Sequence, residues 1–219
     1  SMNLRTFVDE AIVSHVPKPS GLEGINSGQP WWYGGAVGQD GKIYYTPGGA
    51  NHVLQFDPET ESMQLLGEDL GAGSDKWNCA VAVAANGAIY SMPTNATKAL
   101  KINPKSQQVT TIGSKDLPGA SKYFSCTVAA DGCIIGIPYH AKSILKIDPS
   151  TDSVTTFGEL GEGKLKGPWP GAVSGPDGFI YGIPSGAKYV LQIDPKTETV
   201  STIGEDLSEF GGGSWACSW

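Results

Sequence analysis

The sequence predicts an all-β fold built by stacking one supersecondary unit, and three observations carry that prediction. First, residues 40–67, 86–113, 131–158 and 177–204 superpose without gaps, and three ladders of identical residues run through them. Pro58, Pro104, Pro149 and Pro195 stand 46, 45 and 46 residues apart; Pro47, Pro93, Pro138 and Pro184 keep that spacing, as do Gly67, Gly113, Gly158 and Gly204. Second, every unit opens on Asp-Gly or Asn-Gly, the strongest short signal for a β-hairpin. Third, no segment shows a helical period of useful length, while 30 glycines and 15 prolines punctuate a chain that is still 39% hydrophobic. That balance suits many short strands joined by turns and is too apolar for a disordered chain.

Each unit reads as four strands. The first is a short apolar run such as Ala80-Val81-Ala82-Val83, ending at the Asn86-Gly87 turn. The second is β-branched and aromatic, as in Lys42-Ile43-Tyr44-Tyr45, and Pro47 stops it because proline cannot donate to a ladder. The third, Val53-Leu54-Gln55-Phe56, ends at Asp57-Pro58, where proline presets a turn and aspartate caps it. The fourth, such as Val109-Thr110-Thr111-Ile112, alternates polar and apolar residues as an outer strand does.

Four short antiparallel strands in about 46 residues form the blade of a β-propeller. One blade cannot bury both its faces, so blades must stack about an axis. The expected organisation is a single domain over 1–219 with complete repeats at about 31–76, 77–122, 123–168 and 169–214. Residues 4–16 resemble a third and fourth strand, and 214–219 resemble the start of a first strand. The favoured count is therefore five blades, the fifth closed by N- and C-terminal strands, which would remove open sheet edges. A piece of a larger ring of six to eight blades is the second reading and a four-bladed ring the third.

The phrase Asp-Gly-x-Ile-Tyr followed by Ile-Asp-Pro-x-Thr resembles the repeats of kelch, NHL and lyase-type propellers. In length, five-fold count and a chain ending just after Gly-Gly-Gly-Ser-Trp, the sequence is also similar to the tachylectin family of five-bladed lectins. That resemblance implies the propeller fold. The Gly-Gly-Trp-x-x-Phe motif of tachylectin blades is approached only at the end of this chain, and the kelch double glycine and the WD dipeptide are missing, so fold transfers and function does not.

A net charge of −7 leaves no basic surplus to neutralise phosphates, which argues against nucleic acid as a partner. No run of 18 apolar residues occurs, so no transmembrane helix is expected. Cys79, Cys126, Cys133 and Cys217 lack CxxC spacing, and Cys79, Cys126 and Cys217, at the start of inner strands, read as small packing residues near the axis.

Two loop sets should emerge on one face. Those joining the fourth strand to the next first strand end in aromatics: Trp31 or Trp32, Trp77, Tyr123 or Phe124, Trp169 and Trp215. Such rings either wedge between blades or form stacking platforms for a ligand. The loops between second and third strands are small and polar and contribute Asn51, Asn95 and His140. The candidate ligand-binding set is Trp32, Trp77, Phe124, Trp169, Trp215, Asn51, Asn95 and His140. His52 and His140 are offset within their repeats and read as solvated, so no metal site is expected. Asp40, Asn86, Asp131 and Asp177, like Asp57, Asn103, Asp148 and Asp194, read as turn formers. No GxSxG, HExxH or phosphate-cradling loop appears. The expectation is a monomeric, cofactor-free, non-enzymatic module that recognises a protein or other ligand on its loop face. A multivalent lectin is the alternative, and a small propeller hydrolase or lyase the second alternative.

Overall fold

The computed structural model describes residues 31–78, 81–161 and 168–210. Within them the chain forms sixteen strands in four antiparallel sheets, each in simple sequential order. Blade 1 holds β1 (Trp32–Val37), β2 (Ile43–Pro47), β3 (Val53–Asp57) and β4 (Ser62–Leu66). Blade 2 holds β5 (Val81–Val83), β6 (Ile89–Ser91), β7 (Ala99–Asn103) and β8 (Gln108–Ile112). Blade 3 holds β9 (Tyr123–Val128), β10 (Ile134–Pro138), β11 (Ile144–Asp148) and β12 (Ser153–Phe157). Blade 4 holds β13 (Gly171–Ser174), β14 (Ile180–Ile183), β15 (Val190–Asp194) and β16 (Thr199–Ile203), followed by a 3₁₀ turn, Leu207–Phe210. Every repeat therefore becomes one four-stranded blade, as the proline and glycine ladders predict. The expected closing blade (4–16 and 214–219) lies outside the described residues.

The turns form by local chemistry. Asp40, Asn86, Asp131 and Asp177 each accept the backbone N–H two residues on, at 3.3, 3.0, 3.0 and 3.1 Å. Asp57, Asn103 and Asp194 each accept two successive amides after their prolines. These turns then force Glu61, Gln107, Asp152 and Glu198 into the left-handed region, at φ of 51 to 56°. Such a conformation is uncommon for residues with a Cβ, and the flanking bonds hold it.

Burial follows the pleat. On strands two and three, alternate residues face the preceding and the following blade. Tyr44, Val53 and Leu66 of blade 1 meet Trp77, Ile89, Leu100 and Ile102 of blade 2. Tyr90, Met92 and Ala99 of blade 2 meet Ile134, Leu145 and Ile147 of blade 3. Ile135, Ile137 and Ile144 of blade 3 meet Ile180, Leu191 and Ile193 of blade 4. The core is thus three equivalent seams. Two seams are also pinned at the rim, where the left-handed acid of one blade reaches the strand-three lysine of the blade before. Lys101 meets Asp152 at 2.6 Å, and Lys146 meets Glu198 at 2.8 Å.

Candidate functional site

Hydrogen bonds between the two loop sets show that they share one face. Leu70, Leu117, Leu160 and Leu207, each in or just beyond the stretch after a fourth strand, donate their N–H groups to the carbonyls of Asn51, Thr97, Lys142 and Lys188. Those four carbonyls belong to the loops between strands two and three. The same bond recurs in each of the four described blades, tying the loop after strand four to the loop between strands two and three.

The entry aromatics close the core beneath that face. Trp77 and Trp169 are 3% and 1% exposed, and their indole N–H groups donate to the carbonyls of Lys98 (2.9 Å) and Tyr189 (3.1 Å). In blade 3 the same position falls to Tyr123, whose hydroxyl donates to the Ser143 carbonyl at 3.1 Å. Burial pushes this phenol up to about 12. In blade 1 it falls to half-buried Trp32, which donates to the His52 carbonyl at 3.0 Å. Burying such a ring demands a partner for its polar tip, and the carbonyl just before strand three supplies it.

Directly before two of these rings in the chain stand two lysines that sequence reasoning missed. Lys122 is 3% exposed, and its ammonium donates to the carbonyls of Thr94 (3.0 Å), Ala96 (2.9 Å) and Gly119 (2.9 Å). Lys76, its counterpart one repeat earlier, is also buried and lies 3.4 Å from the Gly73 carbonyl. Burial holds both ammonium groups below the usual lysine range. Two of the three acceptors of Lys122 belong to blade 2, so the lysine stitches one blade to the next. A recurring signal was there to be read, because Gly73 and Lys76 precede Trp77 as Gly119 and Lys122 precede Tyr123.

Asn95 is likewise a staple. Its amide N–H donates to the Ser74 carbonyl at 3.1 Å, and its oxygen accepts the Ser121 amide at 2.8 Å. Asn51 contacts Asp69 at 3.3 Å, and His52 places Nδ1 3.1 Å from the Gly67 carbonyl. Trp215 lies outside the described residues.

The remaining candidates come together in blade 3. Beside Tyr123, Phe124 is half-buried, packs against the edge of the core and stacks on Tyr139, ring centroids 4.2 Å apart and planes 9° from parallel. His140, exposed, also packs against Tyr139, ring centroids 4.6 Å apart and planes tilted by 44°. This three-ring step breaks the repeat, since Gly48, Thr94 and Ser185 occupy the place of Tyr139. At the corresponding place in blade 1, Tyr33 is 43% exposed and covers Gly48 so closely that a Cβ there would fall 2.3 Å from the ring. A side chain at that position would have to push the exposed Tyr33 ring aside. Desolvation first, and then a hydrogen bond to Asp75, raise the Tyr33 phenol. Asp75 also accepts the Asn78 amide at 2.5 Å, which leaves the buried Asn78 Oδ1 without a hydrogen-bond partner. Among the described residues, no group of three His, Cys, Asp or Glu side chains gathers to hold a metal ion, and no helix is long and apolar enough to cross a membrane.

Comparison with solved structures fixes the architecture. Virginiamycin B lyase from Staphylococcus aureus, in a catalytically inactive form with quinupristin, matches at a TM-score of 0.63 and 16% identity. The match covers 81% of this chain and 56% of the lyase. The chain is a β-propeller repeat protein. A Bacteroides uniformis propeller that bears the name 6-phosphogluconolactonase matches at a TM-score of 0.61 and 14% identity, over 86% of this chain and 58% of that one. An extracellular region named for a hybrid two-component system of B. thetaiotaomicron matches at 0.57 and 12% identity, over 81% and 25%. The propeller thus spans a little over half of the first of these structures, and identities this low show the fold alone. No family model and no curated protein matches the sequence.

Proposed function

We propose that this propeller is a recognition module that takes its ligand on the loop face, at the aromatic step of Phe124, Tyr139 and His140. The observation that carries the reading is the division of labour among the aromatics. Trp77, Tyr123 and Trp169 close the core, whereas half-buried Phe124 and Tyr139 form a stacked pair, and the other blades place Gly48, Thr94 and Ser185 where blade 3 has Tyr139. A packing role would repeat with the blades, and a step found in one blade is what a single asymmetric ligand requires. Flat rings flanked by a histidine offer apolar area with few rotamers to freeze, as anchors of recognition surfaces do.

The polar groups of the loop face support binding over turnover. Asn95 and Asn51 hold loops together, and the carboxylate of Asp69 accepts both Asn51 and the Gly71 amide. A partner with a planar apolar group, a protein side chain or the face of a sugar, fits the step. The experiment screens the purified chain on immobilised peptide and glycan arrays, with Tyr139→Ala beside it. Binding that disappears in a Tyr139→Ala variant of unchanged melting temperature supports the reading. Binding that survives, or turnover of an arrayed ligand, overturns it.

A further inference from the structure

The seam between blades 1 and 2 carries a polar cluster on the loop face that the repeat does not reproduce. Each entry aromatic is followed by a different residue, Tyr33, Asn78, Phe124 and Pro170 in turn. Tyr33 sits on the irregular stretch of β1 between Trp32 and Gly35, where an extra residue re-aims a side chain, and it is 43% exposed. Asp75, held in the left-handed region at a φ of 54° just before blade 2, accepts the Tyr33 hydroxyl. The same carboxylate accepts the Asn78 amide at 2.5 Å, while the buried Asn78 Oδ1 has no hydrogen-bond partner. Gly48 lets these groups converge, since a Cβ there would fall 2.3 Å from the Tyr33 ring and 2.9 Å from Asn78 Oδ1. In sequence, Thr94, Ser121 and Phe124 take the places of Gly48, Asp75 and Asn78 one repeat later, and Tyr139, Gly167 and Pro170 two repeats later. Neither the carboxylate nor the carboxamide recurs.

We propose that the cluster of Tyr33, Asp75 and Asn78 binds a guanidinium group, the side chain of an arginine on a partner protein. Its unused hydrogen-bonding capacity is all of one kind. The Asp75 carboxylate and Asn78 Oδ1 only accept, and Tyr33 has already given its proton to Asp75. Among the described residues no lysine forms an ion pair with Asp75, and the adjacent, buried Lys76 turns its ammonium to the Gly73 carbonyl. A guanidinium supplies what this set lacks: five N–H donors and no acceptor, a permanent positive charge, and a flat face that stacks on a tyrosine ring. An ammonium brings the charge without the plane, and a sugar hydroxyl brings an acceptor with every donor. A rotation of the exposed Tyr33 side chain opens Asn78 Oδ1 to one of the donors, so binding satisfies an oxygen whose unpaired burial costs folding stability. The net charge of −7 attracts a cationic partner. The site shares no residue with the blade 3 step.

The test titrates the whole chain with N-acetyl-arginine methylamide and with its uncharged isostere, N-acetyl-citrulline methylamide, and follows amide resonances by nuclear magnetic resonance. The arginine probe is expected to shift the Gly48, Asp75 and Asn78 amides, the Asn78 side chain included, and to saturate with a Kd of about 1–10 mM. The citrulline probe should bind at least about tenfold more weakly. Asp75→Asn, which keeps a residue that tolerates the left-handed backbone, should weaken arginine binding by about tenfold, as should Tyr33→Leu. Asp116→Asn removes the same charge from an exposed loop position and should leave binding unchanged. Three results would each overturn the proposal: no saturable shift of these amides up to about 50 mM probe, equal binding of the citrulline probe, or a loss in Asp116→Asn as large as in Asp75→Asn.

Discussion

Replacing Lys122 with methionine keeps the aliphatic stem and removes the ammonium from its three carbonyl acceptors. Those contacts, at 2.9 to 3.0 Å, join blade 2 to the loop that leads into blade 3. Hydrogen bonds to a charged group contribute about 1.5–3 kcal/mol each, and the desolvation of a buried ammonium offsets part of the sum. A net loss of about 3 kcal/mol follows. For a chain of this size that is a fall in melting temperature of about 6–12 °C. Lys76→Met, which gives up one longer contact of 3.4 Å, should lose less than half as much. Lys115→Met, at an exposed loop position, is the control and should leave the melt unchanged. Calorimetry or circular dichroism melts of the three variants provide the measurement. The reasoning is refuted if Lys122→Met melts within a degree of the parent, or if Lys115→Met matches its loss.

Other predictions concern pH, the seams and modification. Tyr44, Tyr90 and Tyr123 have phenols raised by burial, Tyr123 to about 12. Above the ordinary tyrosine value of about 10 the unfolded chain loses these protons first, so the urea midpoint should hold to about pH 10 and fall as pH rises toward 12. The lowered Lys76 and Lys122 act in the opposite sense, adding stability as pH rises toward the unfolded lysine value; Tyr123→Phe should therefore flatten the alkaline fall, and an unchanged slope would contradict this. At the acid end, hydrogen bonds from Ser150 and Thr151 to Asp148, and from Thr197 to Asp194, hold both carboxyls below their usual range, so their contribution is present at neutral pH and lost as pH falls below about 4. Asp152→Asn should weaken the seam between blades 2 and 3 by about 1 kcal/mol, an effect that shrinks in high salt if the Lys101 pair is its source. Because both ends of the Asn95 amide are engaged, the folded protein should resist glycan transfer at Asn95-Ala96-Thr97; intact-mass measurement after secretory expression would detect a modified product.

Features set by local chemistry were legible from residue order. Asp-Gly and Asp-Pro turns act over two or three residues, so their positions mark strand ends directly, and observed strands such as β3 (Val53–Asp57) differ from the expected ones by a residue or so. Roles decided across blades were not. At Tyr123-Phe124, the repeat alone cannot tell which neighbour enters the core; packing buries Tyr123 fully and leaves Phe124 half-buried at the core's edge, against Tyr139. At Trp31-Trp32, the 46-residue spacing points to Trp31, yet an irregularity in the β1–β2 pairing between Trp32 and Gly35 shifts the register and gives the capping bond to Trp32. The buried lysines carried a repeated Gly-x-x-Lys signal, but their burial was not legible, because a lysine in a glycine-rich loop reads as solvated until its carbonyl acceptors are located. Tyr139 carried a signal of its own, an aromatic where the other repeats place Gly48, Thr94 and Ser185.

The most direct test of the account sets Trp77→Ala and Trp169→Ala beside Tyr139→Ala in thermal melts of the purified chain. If the entry aromatics hold the blades together, each tryptophan variant should lose about 3–5 kcal/mol, a fall of about 6–20 °C, while Tyr139→Ala melts within about 2 °C of the parent. Tryptophan variants that melt like the parent, or a Tyr139→Ala variant that unfolds with them, would contradict the separation of core rings from recognition rings.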